Sequence, residues 1–158
     1  MPKVTVIMPC LNVVKYIREC LDSVVNQTLS DIEILIIDAG SIDGTFEIVE
    51  SYAQKDSRIK VICSDQKSYG YQVNLGITAA KGEYIGIVDT DDRIAPDMYD
   101  TLYNIGFSTR VDYIKATAQG FYTISEDLTF FFKIAQFREK EYIDGQMIVV
   151  PKDMPELL

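Results

Sequence analysis

The sequence predicts an α/β fold, a mostly parallel sheet flanked by helices, on three observations. Short apolar runs alternate with stretches of helical period over the first two-thirds of the 158 residues. The runs are nearly continuous in Val, Ile and Leu, as strands covered on both faces are, and do not alternate as strands with one wet face do. Each run ends in a polar or turn-forming cluster, where a strand hands the chain to a loop and a helix.

The elements follow in order. Val4–Met8 is the first strand and leads into Pro9-Cys10-Leu11-Asn12. Val14, Ile17, Leu21 and Val24 then share one helical face, with Asn12 as the expected N-cap. Glu33–Ile37 is the second strand, ending in Asp38-Ala39-Gly40-Ser41. A helix opened by Asp43-Gly44-Thr45 carries the stripe Phe46, Val49, Tyr52 and Ala53. Lys60–Cys63 is the third strand, followed by Ser64-Asp65 and a helix with Val73, Ile77 and Ala80 inward, stopped at Gly82. Tyr84–Val88 is the fourth strand and ends in Asp89-Thr90-Asp91-Asp92. Pro96 opens a helix with Met98, Leu102 and Ile105 inward and Gly106 near its end. A fifth strand is expected over Asp112–Lys115. Past Val111 the alternation fades, and Tyr122–Ile134 fits a Phe-rich strand or hairpin as well as a short buried helix. The tail from Val149 carries Pro151 and Pro155 and no cap. The expected division is an α/β core over residues 1–110 and the start of a second region over 111–158, with the fold incomplete on its C-terminal side.

Composition narrows the function. The chain has 24 acidic and 15 basic residues, a net charge of -9, which repels nucleic acid and anionic headgroups. A nucleotide site in such a chain needs a metal ion or backbone amides to neutralise phosphate. Cys10, Cys20 and Cys63 are scattered, and there is no His, so reduced structural thiols in a cytoplasmic protein are expected and a zinc site is not. No apolar run approaches the length of a signal peptide core or a membrane span.

In an open parallel sheet, ligands bind outside the carboxyl ends of the strands. The strand-end clusters therefore bring Asp38, Asp65, Asp89, Asp91 and Asp92 to one crevice, where they repel one another unless a cation or a donor-rich ligand intervenes. Asp89-Thr90-Asp91-Asp92 suits Mg²⁺ or Mn²⁺, hard ions that take one or two carboxylates and fill their shell with water and phosphate oxygens. The same acids also suit a solvated turn or the N-terminus of the helix after Pro96. Asp38 can accept hydrogen bonds from a base or a ribose, or cap the turn at Gly40. Ser68-Tyr69-Gly70-Tyr71-Gln72 can meet a sugar or pack a helix start. There is no Gly-rich phosphate loop, which argues against dinucleotide and simple ATP sites.

Taken in order, these pieces resemble family 2 glycosyltransferases of the Rossmann-like GT-A type from about Lys3 to about Tyr103. The resemblance is carried by Val4–Pro9, Asn12, Tyr16–Val24, Asn26-Gln27-Thr28, Glu33-Ile34, Asp38–Thr45, Asn74-Leu75-Gly76, Ala80–Ile85, Asp89–Asp92 and Pro96–Tyr99. It implies transfer of a sugar from a nucleoside diphosphate sugar, a UDP-sugar above all, to a glycan or lipid-linked acceptor in cell-surface polysaccharide synthesis. It further implies a cytoplasmic setting, peripheral to the inner membrane face. By resemblance the nucleotide-sugar site is Pro9, Asn12, Asp38, Asp89 and Asp91, with Mg²⁺ or Mn²⁺ on Asp91 and Asp92. The chain departs from the family at Ala39, where a second acid is common, at Leu11, where an aromatic is common, and at Val73, where an arginine is common. The family's general base lies well beyond the metal motif. Ser125-Glu126-Asp127 comes too soon to be it and reads as a turn. Two other readings stay open from the residues: a non-catalytic nucleotide-sugar-binding module, and a phosphatase of the haloacid-dehalogenase type built on an Asp-x-Asp strand end.

Overall fold

Two seven-residue runs form the heart of the sheet: β1, Val4–Cys10, and β2, Ile32–Asp38, buried at every position. They pair in parallel, Val4 beside Ile32 through Cys10 beside Asp38. β3, Ile59–Cys63, adds to β2, and β4, Tyr84–Ile87, adds to the free side of β1, giving the order β3-β2-β1-β4 with every pairing parallel. The computed structural model describes residues 1–114, 116, 119–125, 128–133, 141–143 and 146–148. The chain divides into two units, Met1–Asp112 and Tyr113–Leu158.

Both faces of the sheet are covered, which is why β1 and β2 are apolar throughout. On one face Val4, Val6, Met8, Ile34 and Ile36 pack with Ile17, Cys20, Leu21 and Val24 of α1 (Ile17–Val25), Ile48 and Val49 of α2 (Thr45–Ala53), and Tyr99 of α4 (Met98–Thr109). On the other face Ile7, Leu35 and Ile37 meet Leu75 and Ala79 of α3 (Tyr69–Ala79). Burial of each large aliphatic chain contributes about 1.5–3 kcal/mol.

The expected stripe of α3 is displaced. The helix buries Gln72 and Gly76, with Leu75 and Ala79 against the sheet, whereas Ile77 is 47% exposed. Close approach decides this: a Cβ on Gly76 would lie 2.5 Å from the Ile7 side chain, so the helix seats its smallest residue on β1. In α4 the buried positions are Tyr99 and Gly106, and Ile105 points outward. The Tyr99 ring lies where a side chain on Gly86 of β4 would otherwise go.

The expected strand over Asp112–Lys115 does not form at Asp112–Ile114, which are irregular, and Lys115 lies outside the described residues. Helix α4 runs on to Thr109 and closes with Arg110 in the left-handed conformation. In the second unit, β5 (Gln119–Ser125) and β6 (Leu128–Lys133) make an antiparallel hairpin with Phe121 opposite Phe131, the hairpin alternative for this segment. β7 (Glu141–Ile143) and β8 (Gln146–Ile148) pair likewise. Glu126, Asp127 and the tail from Val149 lie outside the described residues.

At the amino ends of the strands a polar network ties β1, β2, β3 and the entry to β4 together. The Thr5 hydroxyl donates to Glu33 Oε2 at 3.0 Å, the Lys60 ammonium to Oε1 at 2.6 Å and the Lys81 amide to Oε2 at 3.0 Å. Gly82 donates its amide to Thr5 Oγ1, and a Cβ there would meet the Thr5 backbone at 2.4 Å. Burial by itself pushes the Glu33 carboxyl up, and the bonds from Lys60, Thr5 and Lys81 outweigh it and hold the group below the usual carboxylate range. A depressed folded-state value gives stability that is present above the unfolded value and is lost as pH falls through the folded one. Replacing Glu33→Gln is therefore expected to lower the unfolding free energy at pH 7 by about 1–3 kcal/mol. The gap to wild type should close as the acid range is entered. Urea denaturation at pH 7 and at pH 3 measures both.

Candidate functional site

The strand order reverses at β1, with β2 and β3 on one side and β4 on the other, and a crevice opens outside the carboxyl ends at such a reversal. A pocket of about 390 Å³ occupies it. Its walls are Pro9 and Cys10 at the end of β1, Leu11 and Val13 in the following loop, Lys67, Tyr69 and Gln72 at the start of α3, and Asp89, Thr90 and Asp91 after β4.

Buried polar contacts fix these walls. Thr90, 4% exposed, donates its hydroxyl to the Pro9 carbonyl at 2.9 Å. Asp89 and Asp91 flank it and are exposed at the pocket. The Gln72 amide nitrogen, from a residue only 4% exposed, donates to the carbonyls of Cys10 at 2.9 Å and Ile37 at 2.6 Å, joining α3 to the ends of β1 and β2. Across the pocket the Tyr69 hydroxyl donates to Asp89 Oδ1 at 2.8 Å. Burial first and this bond second push the Tyr69 phenol up to about 12. Cys10 and Cys20 are free, buried thiols pushed up to about 12 by burial first and nearby aspartates after it, and so remain protonated at neutral pH.

Asp38 is placed differently. It is buried, and its Oδ2 accepts the amides of Gly40 at 2.9 Å and Ser41 at 3.0 Å while Oδ1 accepts the Ser41 hydroxyl at 2.5 Å. The carboxylate holds the turn that begins at Gly40, whose φ of 81° favours glycine. Asp38 and Asn12 are not among the pocket walls. Asn12 is not a helix cap either, because α1 starts at Ile17, five residues on, after a turn at 14–16. Asn12 sits at φ 53°, its amide donates to Ser41 Oγ, and its Oδ1 accepts the Ile42 amide at 2.9 Å. Asn is one of the few residues that tolerates this backbone region. Asp65 is exposed and apart from the walls, near the Tyr71 hydroxyl.

Three further groups build the site in ways that their places in the sequence motifs do not indicate. Asp43 accepts the Val14 amide through Oδ2 and the Thr45 amide and hydroxyl through Oδ1, and Thr45 in turn accepts the Val13 amide. With the Asn12 contacts, these bonds clasp the β1–α1 loop to the β2–α2 loop. Gln72 and Thr90 are the others. Each carries a faint signal in the sequence, a polar residue at an inward position of an otherwise apolar helix and a hydroxyl between two acids.

Among the described residues no three Asp, Glu, Cys or His side chains cluster closely enough to hold a metal ion unaided. The acids present still fit Mg²⁺ or Mn²⁺, which need only one or two carboxylates when water and substrate phosphate complete the shell. Asp89, Asp91 and Asp92 lie close enough to interact. The Asp92 carboxyl is raised by partial desolvation first and by the charges of Asp91 and Asp89 second.

The fold and the pocket define an α/β protein with an acid-rimmed crevice at the carboxyl ends of its strands. Glycosyl transferase family 2 matches the sequence over residues 5–141, and the chain belongs to that family. It is 41% identical over 126 residues to the uncharacterized glycosyltransferase EpsJ of Bacillus subtilis, covering 80% of this chain and 36% of EpsJ. It is 41% identical over 101 residues to the glycosyltransferase GlyG of Streptococcus pneumoniae, covering 63% and 34%. The fold is of the GT-A type. The crystal structure of Staphylococcus aureus TarS 1-349 in complex with UDP superposes with a TM-score of 0.64 at 30% identity, over 68% of this chain and 33% of that one. A mannosyltransferase of Pyrobaculum calidifontis in complex with GDP-Man and Mn²⁺ does so with a TM-score of 0.57 at 29% identity, over 65% and 31%. The chain spans about a third of the length of these relatives. Family membership removes the haloacid-dehalogenase alternative, whose Asp-x-Asp belongs on an early strand; here it follows the fourth.

The clasp yields a direct expectation. Asp43→Ala removes the two side-chain bonds to Thr45 at the start of α2 and the bond to Val14, and is expected to lower the thermal unfolding midpoint. Asp43→Asn, which keeps an acceptor, should recover part of the loss. Thermal unfolding of the two variants against wild type measures the difference.

Proposed function

We propose that this chain is the donor-binding part of a metal-dependent glycosyltransferase that moves a sugar from a nucleoside diphosphate sugar, a UDP-sugar, to a hydroxyl of a glycan or lipid-linked acceptor. The observation that carries the reading is the pocket at the β1/β4 reversal, walled by Pro9 on one side and by Asp89 and Asp91 on the other. Related structures support it: TarS has been crystallised with UDP and with UDP-GlcNAc, and the Pyrobaculum enzyme with GDP-Man and Mn²⁺.

In this reading Asp89 receives the ribose, Asp91 with Asp92 holds Mg²⁺ or Mn²⁺, and Pro9 borders the nucleoside. Asn12 and Asp38 act on the nucleoside side through the loops they shape, since the Asp38 carboxylate is already engaged by its own turn. Ala39 and Val73 leave the base with fewer polar contacts than the resemblance implies, and Leu11 leaves it without the aromatic surface that the resemblance implies. When bound, the metal supplies Lewis-acid neutralisation of the departing diphosphate. The donor core is assigned to residues 1–110, and residues 111–158 to the beginning of the acceptor side. The general base is assigned to a part of the protein beyond these residues, which the one-third coverage of the relatives supports. The reading includes cell-surface polysaccharide synthesis on the cytoplasmic side of the membrane; the chondroitin synthase of Escherichia coli, 36% identical over 96 residues, 61% of this chain and 14% of that enzyme, supports its polysaccharide part alone. Among the described residues no helix is long and apolar enough to cross a membrane.

Calorimetric titration with UDP is expected to show binding that strengthens when Mn²⁺ is added. Asp91→Asn should weaken the Mn²⁺-dependent affinity about tenfold or more, about 1.4 kcal/mol. UDP binding that Mn²⁺ leaves unchanged would falsify the metal assignment. Metal-dependent binding in a full-length protein that transfers no sugar would favour a non-catalytic binding module.

A further inference from the structure

We propose that Lys67 is a specificity-determining residue of this pocket, reading the charge of the ligand's diphosphate; the inference rests on the nucleotide-sugar reading above. Among the residues that wall the pocket Lys67 is the single basic one, set with the carboxylates of Asp89 and Asp91. A nucleoside diphosphate is a polyanion and enters a chain of net charge -9, so repulsion at the acidic wall is the barrier a selective site has to offset. A metal ion answers it on the side of the acids. Lys67 answers it from the β3–α3 loop, with a compact ammonium and three donors suited to phosphate oxygen.

The loop that carries Lys67 is anchored at both ends. Its first residue, Ser64, donates its amide to the Asp38 carbonyl at 2.7 Å and exchanges side-chain bonds with the Gln66 backbone. Two residues past Lys67 the Tyr69 hydroxyl is bonded to Asp89. The residues on either side of Lys67 are thus tied, through Ser64 to the second strand end and through the Tyr69 side chain to the acid wall, while Lys67 itself is exposed. The ion pairs among the described residues engage Arg58, Lys60 and Arg93 and leave the Lys67 ammonium uncommitted. A lysine held at the mouth of an acidic pocket with no partner of its own suits an anionic group brought by the ligand.

The test compares uridine, UMP and UDP by calorimetry in Mn²⁺ buffer, using wild type, Lys67→Gln and Lys67→Arg. Lys67→Gln is expected to weaken UDP about tenfold, UMP less, and uridine less than twofold. Lys67→Arg should stay within about threefold of wild type. The slope of log affinity for UDP against log salt should be shallower in Lys67→Gln. UDP affinity unchanged in Lys67→Gln, or a loss of equal size for uridine, overturns the assignment, the second outcome marking a packing role. Wild type that binds no UDP overturns the donor-site reading, a result distinct from both.

Discussion

One strand end organises the molecule. β1 lies between β2 and β4, buried along its whole length, and its carbonyls toward the carboxyl end are claimed by the segments that follow β2 and β4 and by the start of α3. Ile7 accepts the Val88 amide, Pro9 accepts the Thr90 hydroxyl, and Cys10 accepts both the Ala39 amide and the Gln72 side chain. A buried carbonyl left without a donor is costly, so each of these segments is held to β1 by an energetic requirement. The crevice follows from this arrangement: β2 and β4 flank β1 on opposite sides, and the connections that follow them diverge at its carboxyl end.

The two ends of the sheet handle charge in opposite ways. At the amino ends Glu33 is buried with Thr5, Lys60 and Lys81 around it, a satisfied network that contributes stability. At the carboxyl ends Asp89, Asp91 and Asp92 stand together, and the Asp92 carboxyl is raised by partial desolvation first and by the charges of its two neighbours second. Carboxylates held so close gain most from a cation. Aspartates of like sequence setting thus part company: Asp38 and Asp43 are consumed by turns and loops, whereas Asp89 and Asp91 wall the pocket and Asp92 stands beside them outside its lining.

The fold was largely legible. Unbroken runs such as Val4–Met8 and Glu33–Ile37 could only be strands covered on both faces, and the structure adds a residue or two at their ends. Helix α1 buries Ile17, Leu21 and Val24 as their spacing indicates, whereas in α2 Val49 is buried with Ile48, and Phe46, Tyr52 and Ala53 are only partly covered. The rotation of α3 was not legible, because it is set by contact between Gly76 and Ile7, residues on different elements, and its buried face includes the polar Gln72. Asp112–Lys115 looked like a strand by composition, yet the helix before it extends to Thr109 and leaves an irregular exit.

For the site, the sequence by itself determined the ingredients: acids after β4, a proline shoulder after β1, and a strand-end rule that sends both to one edge. It could do so because a parallel strand and its following loop are local in the chain. Only the tertiary structure decided which side chains meet. It put Tyr69 on Asp89, Thr90 on Pro9 and Gln72 on two strand ends, and it turned Asp38 and Asn12 into loop fasteners away from the pocket walls. The bonds of Tyr69, Gln72, Thr90 and Asn12 join residues from about 20 to 80 positions apart, a distance at which no periodicity or spacing carries information and only tertiary packing does.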